Sequence, residues 1–217
     1  YCLTTPEAAS RTKRHSIIVV ETDRPGYEAD KMEGKMGLRC SDTAMVYFNS
    51  VNVPKENLVG QEGKGFIQLM HFFDHSRAYV AAHGLGLAQG ALDMALKQAK
   101  TRHQFNRPLG AFQATQFKIA EMATKIESAR TMVYKSAWLL DQGRPDTALT
   151  AMAKLYASRV AVEVVDEALQ LHGGYGYFND SDIERFYRAA KVLEIYEGTK
   201  EVEKIVIARE LLGSIGH

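Results

Sequence analysis

Residues 194–199 read Glu-Ile-Tyr-Glu-Gly-Thr and set one carboxylate, Glu197, on a short turn between an apolar run and an amphipathic segment. A carboxylate fixed to the backbone just before a helix suits general-base chemistry, because the turn positions it and burial against Ile195 and Tyr196 would keep water off it. Thr199 is placed to cap the helix that follows, whose apolar positions Val202, Ile205, Val206 and Leu212 recur at near-helical spacing. The structural alternative is a surface acid drawn to the positive end of a helix dipole.

Three further constellations carry chemistry-bearing groups. Phe73-Asp74-His75-Ser76-Arg77 puts Asp74 and Arg77 at i and i+3 on one helix face, which is either a surface pair or a tuned carboxylate. Asp74 and Glu197 read as the two acids set in a mostly apolar context. Thr101 to Pro108 gathers Arg102, His103 and Arg107 at a helix end. These cations either complement the helix dipole or meet a pyrophosphate while Phe105 packs on a planar group. Leu171 to Tyr177 is a glycine-rich turn whose bare backbone could approach a phosphate or a flat ring, or could serve as a plain helix cap. It is neither a P-loop nor a Rossmann fingerprint, since no strand precedes it and no Lys-Ser/Thr follows. His172 reads as a satisfied core histidine, with no metal-ligand partner at a useful spacing.

The elements that must position these groups are mostly helical. Up to about residue 58 the chain reads as strands and turns. Ser16 to Val20 is an apolar run closed by the turn cluster Asp23-Arg24-Pro25-Gly26, and Ala44 to Val53 is a strand with Val46 and Phe48 on one face and Met45 and Tyr47 on the other. Pro54 and the glycines at 60, 63 and 65 mark a boundary. Phe66 to about Lys100 has helical periodicity and would run roughly 50 Å. Its Gly84, Gly86 and Gly90 imply a close neighbouring backbone or ligand. A second helix is expected from about Phe112 to Asp141, ended by Gln142-Gly143-Arg144-Pro145, whose proline would open the next. That third helix runs to His172 with Ala151, Leu155, Val162, Val165, Leu169 and His172 near one stripe. With the helix after Thr199, the pattern predicts a mainly α fold: an antiparallel four-helix bundle over 61–217, preceded over 1–60 by part of a β-barrel-like domain.

Composition narrows the function. The chain has 217 residues and a formal net charge of +1, so no basic stripe points to nucleic acid and no polybasic block points to a membrane surface. A small-molecule ligand is expected, with no metal. Cys2 and Cys40 have no metal-ligand spacing and read as free thiols. No apolar run approaches the ~20 residues of a membrane-spanning helix. The chain opens at Tyr1 in a strand-like segment and reads as entering partway through a longer protein, so any targeting region would lie outside it.

Taken in order, these segments resemble the acyl-CoA dehydrogenase family along essentially the whole chain. Lys35-Met36-Gly37-Leu38-Arg39, Val53 to Gly60 and Glu62-Gly63-Lys64-Gly65-Phe66 are similar to that family's exit from its middle β-domain. Arg102, Phe105, Gln113, Gln170 to Tyr177 and Tyr196-Glu197-Gly198-Thr199 follow in family order. The resemblance implies the second half of the middle β-domain plus the complete C-terminal helical domain, with FAD in the cleft between them. It implies that Glu197 removes the α-proton of an acyl-CoA thioester while a hydride leaves the β-carbon for the flavin, giving a trans-2-enoyl-CoA. The backbone N–H of Glu197 would help hold the thioester oxygen.

By the same resemblance, Arg102, Phe105, Gln113, Gln170, Leu171, His172, Gly173, Gly174, Thr199, Lys200 and Glu201 match FAD-binding positions, and Asp74, Ser76, Arg77, Tyr196 and Gly198 match substrate-contacting ones. Several FAD positions reach the flavin of a neighbouring subunit in the family, which implies a homodimer or homotetramer. Electron-transfer flavoprotein is the implied acceptor, and the implied compartment is the cytoplasm of a prokaryote or the mitochondrial matrix of a eukaryote. Relatives that carry the base on the first long helix place it where this chain has Ser76, which cannot serve. Asn106 stands where a glycine is usual, and Lys200 and Glu203 replace a commoner Ser and Gln. Two alternatives remain: an acyl-CoA oxidase, and a noncatalytic helical assembly module without cofactor.

Overall fold

A computed structural model describes residues 1–213 and divides them into two compact units, Tyr1–Phe73 and Asp74 onward. The first unit is built from short strands. β1 (Cys2–Leu3) pairs antiparallel with β2 (His15–Ser16), and β3 (Tyr27–Lys31) pairs antiparallel with β4 (Ala44–Phe48), with Tyr27 opposite Phe48 and Lys31 opposite Ala44. The run expected as a strand from Ser16 to Val20 is reduced to the end of β2 and a single bridge from Ile18 to Leu58. Its continuation is tied by isolated bonds, Val19 N–H to Asn57 O and Val59 N–H to Ile17 O, rather than by a ladder. The second expected strand stops at Phe48, and its side chains are exposed on both faces. Fully buried Ser16 anchors this unit: its hydroxyl accepts from Gly63 N–H at 2.9 Å, and a Cβ at Gly65 would lie 2.7 Å from its backbone.

α1 (Gly65–Thr101) is a single helix of 37 residues, about 55 Å long at 1.5 Å per residue. β5 (His103–Gln104) and β6 (Arg107–Pro108) form a small hairpin, followed by α2 (Gln113–Asp141) and α3 (Thr147–His172). These long helices lie where the hydrophobic spacing predicts them. Pro145 does not open α3. Asp146 does, its carboxylate accepting from Leu149 N–H at 2.8 Å, so the helix starts two residues after the proline. The chain then adds a helix that was not among the four expected, α4 (Asp182–Ala190), before α5 (Lys200–Leu212). Its Ile183, Phe186, Tyr187 and Ala190 recur at i, i+3, i+4 and i+7 with charges between them, an amphipathic repeat only nine residues long, and Ile183, Ala189 and Ala190 are buried.

The bundle core is a seam of small residues. Ala81, Ala88, Ala91 and Ala95 on α1, and Ala151, Ala153, Ala157, Ala161 and Ala168 on α3, have no exposed surface. Small side chains let backbones approach, and at Gly84 a Cβ would sit 2.9 Å from the Ala157 carbonyl oxygen. Gly90 faces the Phe186 ring in the same way, whereas Gly86 has open space around it. The buried stripe of α3 therefore differs from the expected one. Leu155, Val162, Leu169 and His172 lie at its margin, while Ala151, Lys154, Ala157, Ser158, Ala161, Val164, Val165 and Ala168 form its centre. On α5 the expected apolar stripe is also displaced: Val202, Ile205 and Leu212 are exposed, and the buried residue is Glu203.

Candidate active site

Glu197 sits on the turn that links the 3-10 segment Lys191–Glu194 to α5. Its φ is +56°, and that of Gly198 is +104°. A left-handed conformation in a residue with a Cβ costs on the order of 1–3 kcal/mol, and it survives only where the surroundings over-determine it. Here they do so from three sides. Ser76 on α1 donates its hydroxyl hydrogen to Glu197 Oε2 at 2.5 Å. Lys154 on α3 donates from Nζ to the Gly198 carbonyl. Thr199 caps α5, its hydroxyl accepting from Val202 N–H at 3.4 Å. Gly198 must be glycine for a second reason, since a Cβ there would fall 2.2 Å from Glu203 Oε1.

Beneath the turn lies a buried charge cluster. Glu203 has no exposed surface, and its Oε1 is 3.1 Å from Arg77 Nε, itself buried. Burial pushes the Glu203 carboxyl above its ordinary value, and the Arg77 and Lys154 cations pull it back. Burial pushes the Lys154 ammonium down, opposed chiefly by Glu203. Neither Lys154 nor Glu203 stands out as a functional residue in the sequence. The available signal was a lysine on the inward stripe of α3, where a charged residue is almost never fully buried unless paired.

The expected environment of Glu197 differs in one respect. Ile195 is 54 % exposed and does not cover the carboxylate; the shielding comes from the Ser76 side. Tyr196 is half-buried, with its hydroxyl 3.2 Å from His83 Nδ1. Burial raises its phenol above the ordinary value, and the nearby Glu197 charge adds to this. Asp74 is half-buried on α1, half a turn before Ser76. The residue buried in place of Asp74 is Glu203, so the reading of Asp74 and Glu197 as the two acids in apolar surroundings is corrected. Lys200 and Glu201 are exposed on the first turn of α5, with Lys200 Nζ 4.0 Å from a Glu194 carboxylate oxygen.

A second cluster forms at the far end of α1. Arg102, Leu171, His172, Gly173 and Gly174 line one cavity of about 450 Å³ with Gln98, Gln104 and Tyr175. Gly173 closes α3 with φ +61°, its N–H donating to Gln170 O, and open space lies around both Gly173 and Gly174. The turn is thus both a helix cap and an uncovered backbone surface. The Arg102 guanidinium lies 5.8 Å from the Tyr175 ring centre. His172 Nδ1 donates to the Ala168 carbonyl at 2.7 Å, which fixes the ring against its own helix. Phe105 and Asn106, at φ +51° and +62°, form the two-residue turn of the β5–β6 hairpin. Asparagine tolerates that backbone, which explains why it can stand where glycine is usual. Phe105 is 86 % exposed at the tip. Gln113 opens α2 and is exposed, as is Gln170.

The two clusters are 26 residues apart, taking Ser76 on α1 to Arg102 just past its end. At 1.5 Å per residue that is about 39 Å. Among the described residues, no group of three or more His, Cys, Asp or Glu could hold a metal ion, and no helix is long and apolar enough to cross a membrane. A hollow of about 570 Å³ between Met132, Met152, Leu155 and Tyr156 includes neither Glu197 nor Arg102.

Fold and site together describe a helical-bundle domain that carries a carboxylate on a strained turn and, at its other end, an open arginine–glycine cradle. Residues 63–212 match the family model "Acyl-CoA dehydrogenase, C-terminal domain". The chain is 46% identical over 212 residues to acryloyl-CoA reductase (NADH) of Anaerotignum propionicum, covering 98% of this chain and 53% of that one. Among solved structures it superposes on butyryl-CoA dehydrogenase of Megasphaera elsdenii with a TM-score of 0.93 at 41% identity, covering 97% of this chain and 55% of the other. A chain in the structure of the electron transferring flavoprotein of Acidaminococcus fermentans matches at TM-score 0.91 and 48% identity, over 94% of this chain and 53% of its own length. The chain belongs to the acyl-CoA dehydrogenase family, and it spans about half the length of the curated relatives it matches.

Proposed function

We propose that this chain is the C-terminal portion of a flavoenzyme that dehydrogenates an acyl-CoA thioester to a trans-2-enoyl-CoA, with Glu197 as the base that takes the α-proton. The observation that carries this reading is Glu197 itself, held at a positive φ with one carboxylate oxygen bonded to Ser76. A strained residue held by three neighbouring elements is costly scaffolding for an ordinary surface acid. Ser76 fixes the plane of the carboxylate through Oε2, which leaves Oε1 to receive the proton. The Glu197 N–H is the donor assigned to the thioester oxygen, where charge grows as the α-proton leaves.

The residues of the second cluster fit the ADP portion of FAD. An exposed guanidinium, two uncovered glycines and a cavity of about 450 Å³ match what a pyrophosphate and its nucleoside require. Arg102, Gln170 to Gly174, Gln113 and Phe105 would hold that portion. Thr199, Lys200 and Glu201 lie beside Glu197, where the cofactor's reactive ring belongs. When bound, FAD supplies the acceptor for the hydride that leaves the β-carbon.

Because the two sets are about 39 Å apart along α1, one extended dinucleotide does not reach both. The ADP-binding end and the base of one chain therefore serve different flavins, which supports a homodimer or homotetramer. Residues 1–60 are read as the latter part of the middle β-domain and 61–217 as the C-terminal domain. Short acyl-CoA substrates and electron transfer to an electron-transfer flavoprotein are the readings favoured by the similar proteins. The reductase among them favours a second direction on the same site, in which protonated Glu197 returns the proton to an enoyl-CoA. The test is anaerobic addition of butyryl-CoA to the purified full-length protein. Bleaching of a yellow flavin band supports the reading, while a colourless preparation that cannot be reconstituted with FAD leaves the noncatalytic module. Peroxide formed without an added acceptor indicates the oxidase.

A further inference from the structure

Lys154 has no place in the chemistry above, yet its side chain is 1 % exposed and lies on the innermost stripe of α3. Burying an ammonium is expensive, by several kcal/mol unless it is paired and hydrogen-bonded. Its ammonium donates to the carbonyl of Gly198, the residue immediately after the proposed base. Glu203 is fully buried under the same glycine, close enough that any Cβ at Gly198 would collide with its Oε1, and it pairs with Arg77 at 3.1 Å.

The cluster thus holds two cations, Arg77 and Lys154, and two anions, Glu203 and Glu197. Ser76 alone fixes only the end of the Glu197 side chain and leaves the backbone of the turn free to relax out of its left-handed conformation. A donor on the Gly198 carbonyl restrains that backbone. Lys154 supplies it from α3, while Ser76 acts from α1 and Thr199 from α5, so the turn is pinned to three helices at once.

We propose that Lys154 and Glu203 are positioning residues for Glu197. Lys154 ties down the Gly198 carbonyl and keeps the Glu197–Gly198 turn in its strained form, and Glu203 provides the countercharge that allows an ammonium to remain buried there. Neither group touches the reacting atoms. The inference rests on the assignment of Glu197 as the base.

The test uses the full-length, flavin-loaded protein and tert-butylacetyl-CoA, a thioester with α-hydrogens and none on the β-carbon. Proton removal can then be followed by deuterium uptake from D2O, with no hydride transfer. In Lys154→Met, uptake should fall roughly 10- to 100-fold, as expected for a misplaced catalytic group. Affinity for the thioester and the flavin spectrum should stay within about twofold of wild type, and amide exchange across residues 195–203 should quicken. Lys154→Gln, which keeps a donor without the charge, should recover part of the rate. If Lys154→Met does not fold, Glu203→Gln is read in its place, with the same separation of rate from affinity. Wild-type uptake in the folded variant that is read, or a loss confined to affinity, overturns the proposal. If wild-type protein takes up no deuterium, or Glu197→Gln takes it up as wild type does, the assignment of the base fails instead, and the two failures are distinguishable.

Discussion

The two clusters set along α1 differ in how their groups are held. Near Ser76 the groups are buried and mutually bonded: Arg77, Lys154 and Glu203 are each less than a tenth exposed, and the Glu197 turn is tied to three helices. Near Arg102 the groups are open. Phe105 is 86 % exposed, Tyr175 73 % and Tyr177 83 %, and the glycines face empty space. The groups of the first cluster hold one another within this chain, whereas the aromatics of the second stand exposed. Chemistry that needs a reactive group placed to a fraction of an ångström belongs at the rigid end. Binding of a long, flexible cofactor tolerates the open one.

Several substitutions would break or sharpen that contrast. The largest effect on stability is expected from Gly198→Val, which adds a Cβ 2.2 Å from Glu203 Oε1 at a φ of +104°. It combines backbone strain with disruption of a buried ion pair and should cost about 3 kcal/mol or more in chemical denaturation. Arg102→Ala, at the open end, should leave the unfolding midpoint nearly unchanged while weakening flavin binding about 10- to 100-fold in a fluorescence titration, the worth of one charge-assisted contact. Equal stability losses from these two changes would erase the distinction between a rigid cluster and an open one. Thr199→Ala removes one helix cap and should cost about 1 kcal/mol of stability. The smallest effect is expected from Asn106→Gly at the hairpin turn, within about 0.5 kcal/mol of wild type by thermal melting, because both residues accept its left-handed backbone.

Local signals were legible in the sequence, and long-range ones were not. Glu197, Gly198 and Thr199 announce a turn and a cap within three residues, and α1, α2 and α3 each carry enough helical repeats to be located closely. The Ser76–Glu197 bond joins residues 121 apart in sequence, and no local spacing indicates it. The burial of Lys154 and Glu203 is illegible for a related reason. On a single helix each reads as an ordinary surface charge, and only the packing of α3 against α5 turns the two inward together. The strand region was least legible, because β3 alternates Glu, Asp and Lys with small or aromatic residues and its partner β4 is exposed on both faces.

Stopped-flow reduction of full-length Glu197→Gln by butyryl-CoA tests most directly whether Glu197 is the group that takes the α-proton. The amide keeps the shape of the side chain and its place beside Ser76, so the protein should fold, bind flavin and bind the thioester as wild type does. The rate of flavin bleaching should fall by about 10²- to 10⁴-fold, the worth of a general base. Bleaching at the wild-type rate would contradict the account and place the base on another residue.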